Sequence, residues 1–152
     1  MRTAIKSVMT MLLGITTIAC NVRASDISDI GKDSSKTIVI QGPIVSNAVR
    51  LADDLVKMSS EADTVDILIN SPGGSVFAGF IFINAMEVVR ARGTKIRCLV
   101  TSMAASMAFQ IFAHCTDRYA LPKALLLWHP VRISGEVTLT PQLAQSITAD
   151  PR

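Results

Sequence analysis

Residues 65–92 read Val-Asp-Ile-Leu-Ile-Asn-Ser-Pro-Gly-Gly-Ser-Val-Phe-Ala-Gly-Phe-Ile-Phe-Ile-Asn-Ala-Met-Glu-Val-Val-Arg-Ala-Arg. A short apolar run from Val65 to Ile69 breaks at Ser-Pro-Gly-Gly. A long apolar stretch from Val76 to Arg92 then stops at Gly93. The first run has the length and residue types of a strand, the glycines are turn residues, and the second is a helix with a C-terminal glycine stop. The same alternation continues on both sides. Upstream, Thr37 to Ile40 is a strand closed by Gly42-Pro43. A helix capped by Ser46 or Asn47 runs to about Ser60, with Ala48, Leu51, Ala52, Leu55, Val56 and Met58 as its apolar stripe. Downstream, Lys95 to Val100 is a third strand, and a short helix spans about Ala105 to His114. Arg118 to Ala120 and Leu125 to Trp128 are further strands, separated by Leu121-Pro122. A last helix begins near Pro141. The pattern predicts an α/β fold with a mainly parallel sheet whose strands are apolar on both faces.

The chain has 152 residues and is 49% hydrophobic, enough for one domain with a real core and too apolar for disorder. Its formal charge of +3 misleads. Arg2, Lys6 and Arg23 lie in the first 24 residues, which hold no acidic residue. The rest of the chain balances 12 basic against 12 acidic side chains, so nothing in the charge calls for a nucleic-acid partner. Those first residues read as an export signal at 1–24: a basic start, an apolar stretch from Val8 to Ala19, and Val22-Arg23-Ala24 for cleavage. Thr17-Ile18-Ala19-Cys20 also resembles a lipobox, with a signal ending at Ala19 and a lipid on Cys20. A buried N-terminal helix is the plain alternative. Residues 25–35 are a polar, loose lead-in, and residues 36–152 form the domain. The expected location is the periplasm or cell envelope, with the cytoplasm as the alternative.

Besides Cys20 there are two cysteines, Cys98 and Cys115. An oxidising compartment permits a disulfide between them. Two buried thiols that only pack are the favoured reading, because sequence does not give their separation. No Cys/His spacing suits a metal, and no cofactor is expected.

The chemistry gathers in three places. Gly73 and Gly74 can present backbone N–H groups with no Cβ in the way. Ser106, in Ala-Ala-Ser-Met-Ala at 104–108, falls where a strand gives way to a helix, among small residues that leave its hydroxyl accessible. His129 ends the strand Leu125 to Trp128. Singly, these are a turn, a helix cap and a core histidine. Together, in this order and at the carboxyl ends of strands, they are an oxyanion cradle, a nucleophile and a base. His114, at a helix end beside Cys115, matches no motif and reads as structural.

Ile-Asn-Ser-Pro-Gly-Gly at 69–74, Ala-Gly at 78–79, Ala-Ala-Ser-Met at 104–107, Arg118, Leu121-Pro122 and His129-Pro130 resemble, in order, the proteolytic subunit of Clp proteases. The likeness covers Thr37 to Pro130 and implies a crotonase-like fold of repeated ββα and βα units and a serine endopeptidase acting on peptides or unfolded proteins. It implies Ser106 as nucleophile and His129 as base, with Gly74 and Met107 as oxyanion donors. Peptide would bind as added strands along Gly73, Ser75 and Val76 and along Val131, Arg132 and Ile133. A homo-oligomeric ring is implied. The family's AAA+ unfoldase partner fits poorly with an export signal.

Some positions depart from the family pattern. Pro130 follows His129 directly where the family has a glutamine between them, and Ala108 replaces a glycine. The third catalytic residue of the family, an aspartate beyond a long helix, has no evident counterpart, Asp150 included. The expectation is a fragment or a natural truncation. Two other readings stand beside the Ser-His peptidase. One is a Ser-Lys envelope peptidase with Lys123 or Lys95 as base; the other is a non-catalytic binding or assembly module.

Overall fold

The structure, a computed structural model, describes residues 27–129. The export signal, the segment Val131 to Ile133 and the helix expected near Pro141 lie outside these residues. A 3-10 turn at Ser34–Lys36 leads into strand β1 (Thr37–Gln41). Helix α1 (Asn47–Met58), β2 (Thr64–Ser71), α2 (Val76–Ala91), β3 (Lys95–Ala105) and α3 (Met107–Ala113) follow in strict alternation. Two short strands, β4 (Asp117–Ala120) and β5 (Leu125–Leu127), complete the order.

All strand pairs are parallel. The sheet runs β1-β2-β3-β4, and β5 also pairs with β3. Strand β3 has room for two partners along one edge because it is 11 residues long. Its first half pairs with β4, from Arg97 opposite Asp117 to Val100 opposite Ala120. Its end pairs with β5, from Met103 opposite Leu125 to Ala105 opposite Leu127. The sequence predicted β3 only to Val100. Pairing with β5 carries it five residues further through Thr101-Ser102-Met103-Ala104-Ala105, which has little β-propensity of its own.

Consecutive strands are neighbours, and a right-handed crossover between parallel neighbours always returns on the same side. The three helices therefore cover one face. Ile38, Ile40, Val65, Ile67, Ile69, Ile96, Cys98 and Val100 point into that layer. They meet Ala48, Ala52 and Leu55 of α1, Phe82, Met86 and Val89 of α2, and Ile111 and Phe112 of α3. Each large aliphatic or aromatic side chain buried here contributes roughly 1.5–3 kcal/mol. Phe82 in α2 is the largest that is fully buried.

The opposite face corrects the expectation of strands apolar on both sides in one of its rows and meets it in the next. Thr37, Asp66, Arg97 and Asp117 lie in register in one row across β1 to β4, and Val39, Leu68, Leu99 and Tyr119 in the next. Among the described residues no helix covers them, and Val39 is 51% exposed. The lead-in shields one end of this face, so it is not loose. The Gly31 N–H donates to Asp66 Oδ2 at 2.9 Å, and Ile30 is buried. Arg97 grips Asp66 through Nε and Nη2 at 2.8 and 3.0 Å and holds Asp29 through Nη1 at 2.8 Å. The hydrogen bond from Arg97 keeps the Asp29 carboxyl below its ordinary range. The same carboxylates, Asp66 first, raise Arg97 further above its already high value.

Candidate active site

The site lies at the carboxyl ends of β2, β3 and β5, where open parallel sheets place ligands. It begins with backbone. Ser106 has φ 54° and ψ −121°, and it is the sole non-glycine residue with positive φ among the described residues. A side chain costs about 1–3 kcal/mol in such a conformation, so the surroundings must enforce it. They do so from both sides. The Ser106 N–H donates to the Leu127 carbonyl at 2.8 Å, and the Ser106 carbonyl accepts from Gln110 N at 3.2 Å. A strained serine on a sharp turn from strand to helix is the arrangement that lifts a hydroxyl clear of the chain.

Gly73 closes the turn from below. It is buried with φ +94°, and a Cβ there would come within 2.6 Å of the Ala105 carbonyl and 2.7 Å of Ser106 Cβ. Gly74, at φ +149°, has no room for a Cβ against the Ile44 carbonyl. Both glycines are demanded by close approach as well as by dihedral angle. Ile44 pins the loop by two backbone bonds of 2.8 Å, donating to Gly73 O and accepting from Ser75 N. That pairing leaves the Gly74 N–H outside the ladder. Sequence reading missed Ile44, and it missed Ser71, whose buried Oγ accepts from Gly73 N at 3.1 Å. Ser75 caps α2, its Oγ accepting from Ala78 N at 3.3 Å, and Val76 opens that helix.

The far end of α3 is tied as firmly as its start. Cys98 in β3 and Cys115 just past α3 are joined by a disulfide, with a Cα–Cα separation of 6.0 Å. This corrects the reading of two free packing thiols. Arg118 adds a polar tie, its Nη1 donating to the carbonyls of Ala113 at 3.2 Å and Cys115 at 2.8 Å. His114 caps α3, and its Nδ1 lies 3.0 Å from Glu87 Oε1 on α2. This contact lowers the Glu87 carboxyl below its ordinary value. His114 is thus a bracing residue, as its lack of a motif suggested.

Ala105 stands opposite Leu127, so the chain leaves β5 through Trp128 and His129 at the same end of the sheet as Ser106. His129 is half-buried there. The lysines of the rival reading are elsewhere. Lys95 begins β3, roughly 35 Å from Ser106 at the usual strand rise. Lys123 lies in the turn from Leu121 to Ala124, before β5, whose first residue Leu125 stands opposite Met103. Among the described residues no three His, Cys, Asp or Glu side chains are grouped to hold a metal.

The Clp protease family profile matches residues 22–145 of this sequence. The chain belongs to the Clp protease family. Its α/β sheet with alternating helices is that of a Clp protease domain. It is 31% identical over 120 residues to the ATP-dependent Clp protease proteolytic subunit of Streptococcus uberis, a match covering 76% of this chain and 59% of that protein. It is 32% identical over 99 residues to the subunit of the same name from Streptococcus pyogenes serotype M5, covering 62% and 49%. The chain spans about half the length of the curated relatives it matches.

Proposed function

We propose that this Clp family chain is a serine peptidase acting on peptides or unfolded proteins, with Ser106 as nucleophile and His129 as base. The strained turn at Ser106, packed against a glycine that cannot carry a Cβ, is the observation that carries this reading. The His129 imidazole takes the Ser106 proton as Oγ bonds to the peptide carbonyl carbon. The N–H groups of Gly74 and Met107 receive the oxyanion. The C–N bond then breaks, the leaving amine takes the proton from the imidazolium, and water releases the acyl group by the reverse path. Preorganised N–H donors of this kind are worth about 10²–10³ each in rate. The peptide lies as an added strand along Gly73, Ser75 and Val76 and along Val131, Arg132 and Ile133.

A ring of identical subunits is the proposed assembly. The outward side of α2 supports it, since Phe77, Phe80 and Val88 stand 76%, 52% and 45% exposed at helical spacing. Export to the envelope, with cleavage after Ala24 or a lipid on Cys20, is the proposed location. The disulfide supports it, because such bonds persist in oxidising compartments. An ATP-driven unfoldase is then not the partner, and substrates arrive already unfolded. Cleavage of an unstructured peptide by the purified chain, lost in Ser106→Ala, is the expected result. Equal cleavage by Ser106→Ala would overturn the assignment.

A further inference from the structure

Gly79 occupies the middle of the first two turns of α2, on its buried side. It has no positive φ to explain it, and glycine is a poor helix former. Its neighbour explains it. A Cβ on Gly79 would overlap both Sδ and Cγ of Met107. Met107 is the first residue of α3, and its side chain is 4% exposed, packed in the core that α2 and α3 share. The methionine therefore sits in a notch that only a glycine leaves open. Cγ can move aside only by a turn about the Cα–Cβ bond, which would force the whole buried side chain to repack in the core. The same glycine also reaches the other half of the cradle. Its N–H donates to the Ser75 carbonyl at 3.0 Å, one residue beyond Gly74.

We propose that Gly79 is a positioning residue for the oxyanion hole, holding the Met107 N–H in place by seating the Met107 side chain against α2. The inference rests on the Ser106 peptidase reading. Both donors are then referenced to one point on a rigid helix: Met107 through its buried side chain and Gly74 through the bond from Gly79 to Ser75. Gly79 touches no substrate. Its effect falls on the step in which charge develops on the oxygen, and only weakly on initial binding.

The test uses the whole chain and a fluorophosphonate probe. Ser106 Oγ bonds to phosphorus, fluoride leaves, His129 takes the proton, and the phosphoryl oxygen enters the hole. Saturation kinetics separate probe binding from the bond-forming rate. Gly79→Ala is expected to slow that rate by about 10- to 100-fold, a partial loss of one donor, with binding little changed. Met107→Ala keeps the N–H but empties the notch, and should also be slow. Gly79→Ala with Met107→Ala places a methyl where the thioether was, and should recover to within about threefold of wild type. If Gly79→Ala alone does not fold, the Met107→Ala variant and the double variant decide the matter. A wild type that labels at Ser106 while Gly79→Ala or Met107→Ala labels equally fast overturns the inference alone. So does a double variant no faster than the singles. A wild type that fails to label at Ser106 overturns the peptidase reading and this inference with it.

Discussion

The two ends of strand β3 follow opposite rules. At the amino end, Arg97 is bidentate to buried Asp66 and bonded to Asp29, and Asp66 also accepts from the Gly31 N–H of the lead-in. At the carboxyl end, Ser106 sits in a strained backbone beside two glycines that have no room for a Cβ. The first end is saturated and gains stability. The second gives up stability to hold a strained turn. The strain persists there because the surroundings over-determine it: Gly73 beneath, Leu127 beside, and the disulfide and Arg118 at the far end of α3.

The sharpest way to break this comparison is to relax the strained end. Ser106→Gly removes the side chain that opposes φ 54° and should raise unfolding free energy by about 1 kcal/mol, while all fluorophosphonate labelling disappears. Urea unfolding and intact mass measure the two halves. A destabilised variant would mean that the turn is not strained in solution. Removing the ties comes next. Replacing both Cys98 and Cys115 by alanine should cost about 3 kcal/mol, the chain-entropy value for a loop of this size. Dithiothreitol should lower the melting temperature of wild type and leave that of the double variant unchanged.

The saturated end should behave differently. Asp66→Ala leaves Arg97 only partly buried, at 24% side-chain exposure, so the loss should be about 2 kcal/mol, below that for a fully buried pair. The labelling rate at Ser106 should stay within about twofold of wild type, since sites this far apart act nearly independently. A large fall in labelling would show that the two ends are coupled. The smallest effect is one of pH. The Arg97 hydrogen bond lowers the folded Asp29 pKa below its ordinary 3.8. The contact with Arg97 is therefore fully present above that value and is lost as pH falls through the folded pKa. Amide exchange in residues 27–33 should quicken in that acid window, while exchange in α3 does not.

Much of the working end was legible in the sequence, because its chemistry is local. Ser-Pro-Gly-Gly between a strand and a helix, and Ser106 among alanines, announce themselves by residue type. The angle at Ser106 does not, since Leu127 and Gly73 impose it. The saturated end was misread for the same reason. Asp66 and Arg97 sit singly among apolar residues, and only parallel register reveals that they face each other and the lead-in. Local propensity ended β3 at Val100, whereas pairing with β5 extends it to Ala105. The Cys98–Cys115 bond likewise depends on a 6.0 Å approach that spacing along the chain does not encode.

The central claim is the proposal that Ser106 is activated by His129, which follows β5 at the same end of the sheet. Peptide mapping after fluorophosphonate treatment tests it most directly, on wild type, His129→Ala and Lys123→Ala. The account predicts a single adduct on Ser106, slowed at least about 100-fold in His129→Ala by loss of the base and unchanged in Lys123→Ala. An adduct on another serine, or equal labelling without His129, would contradict it.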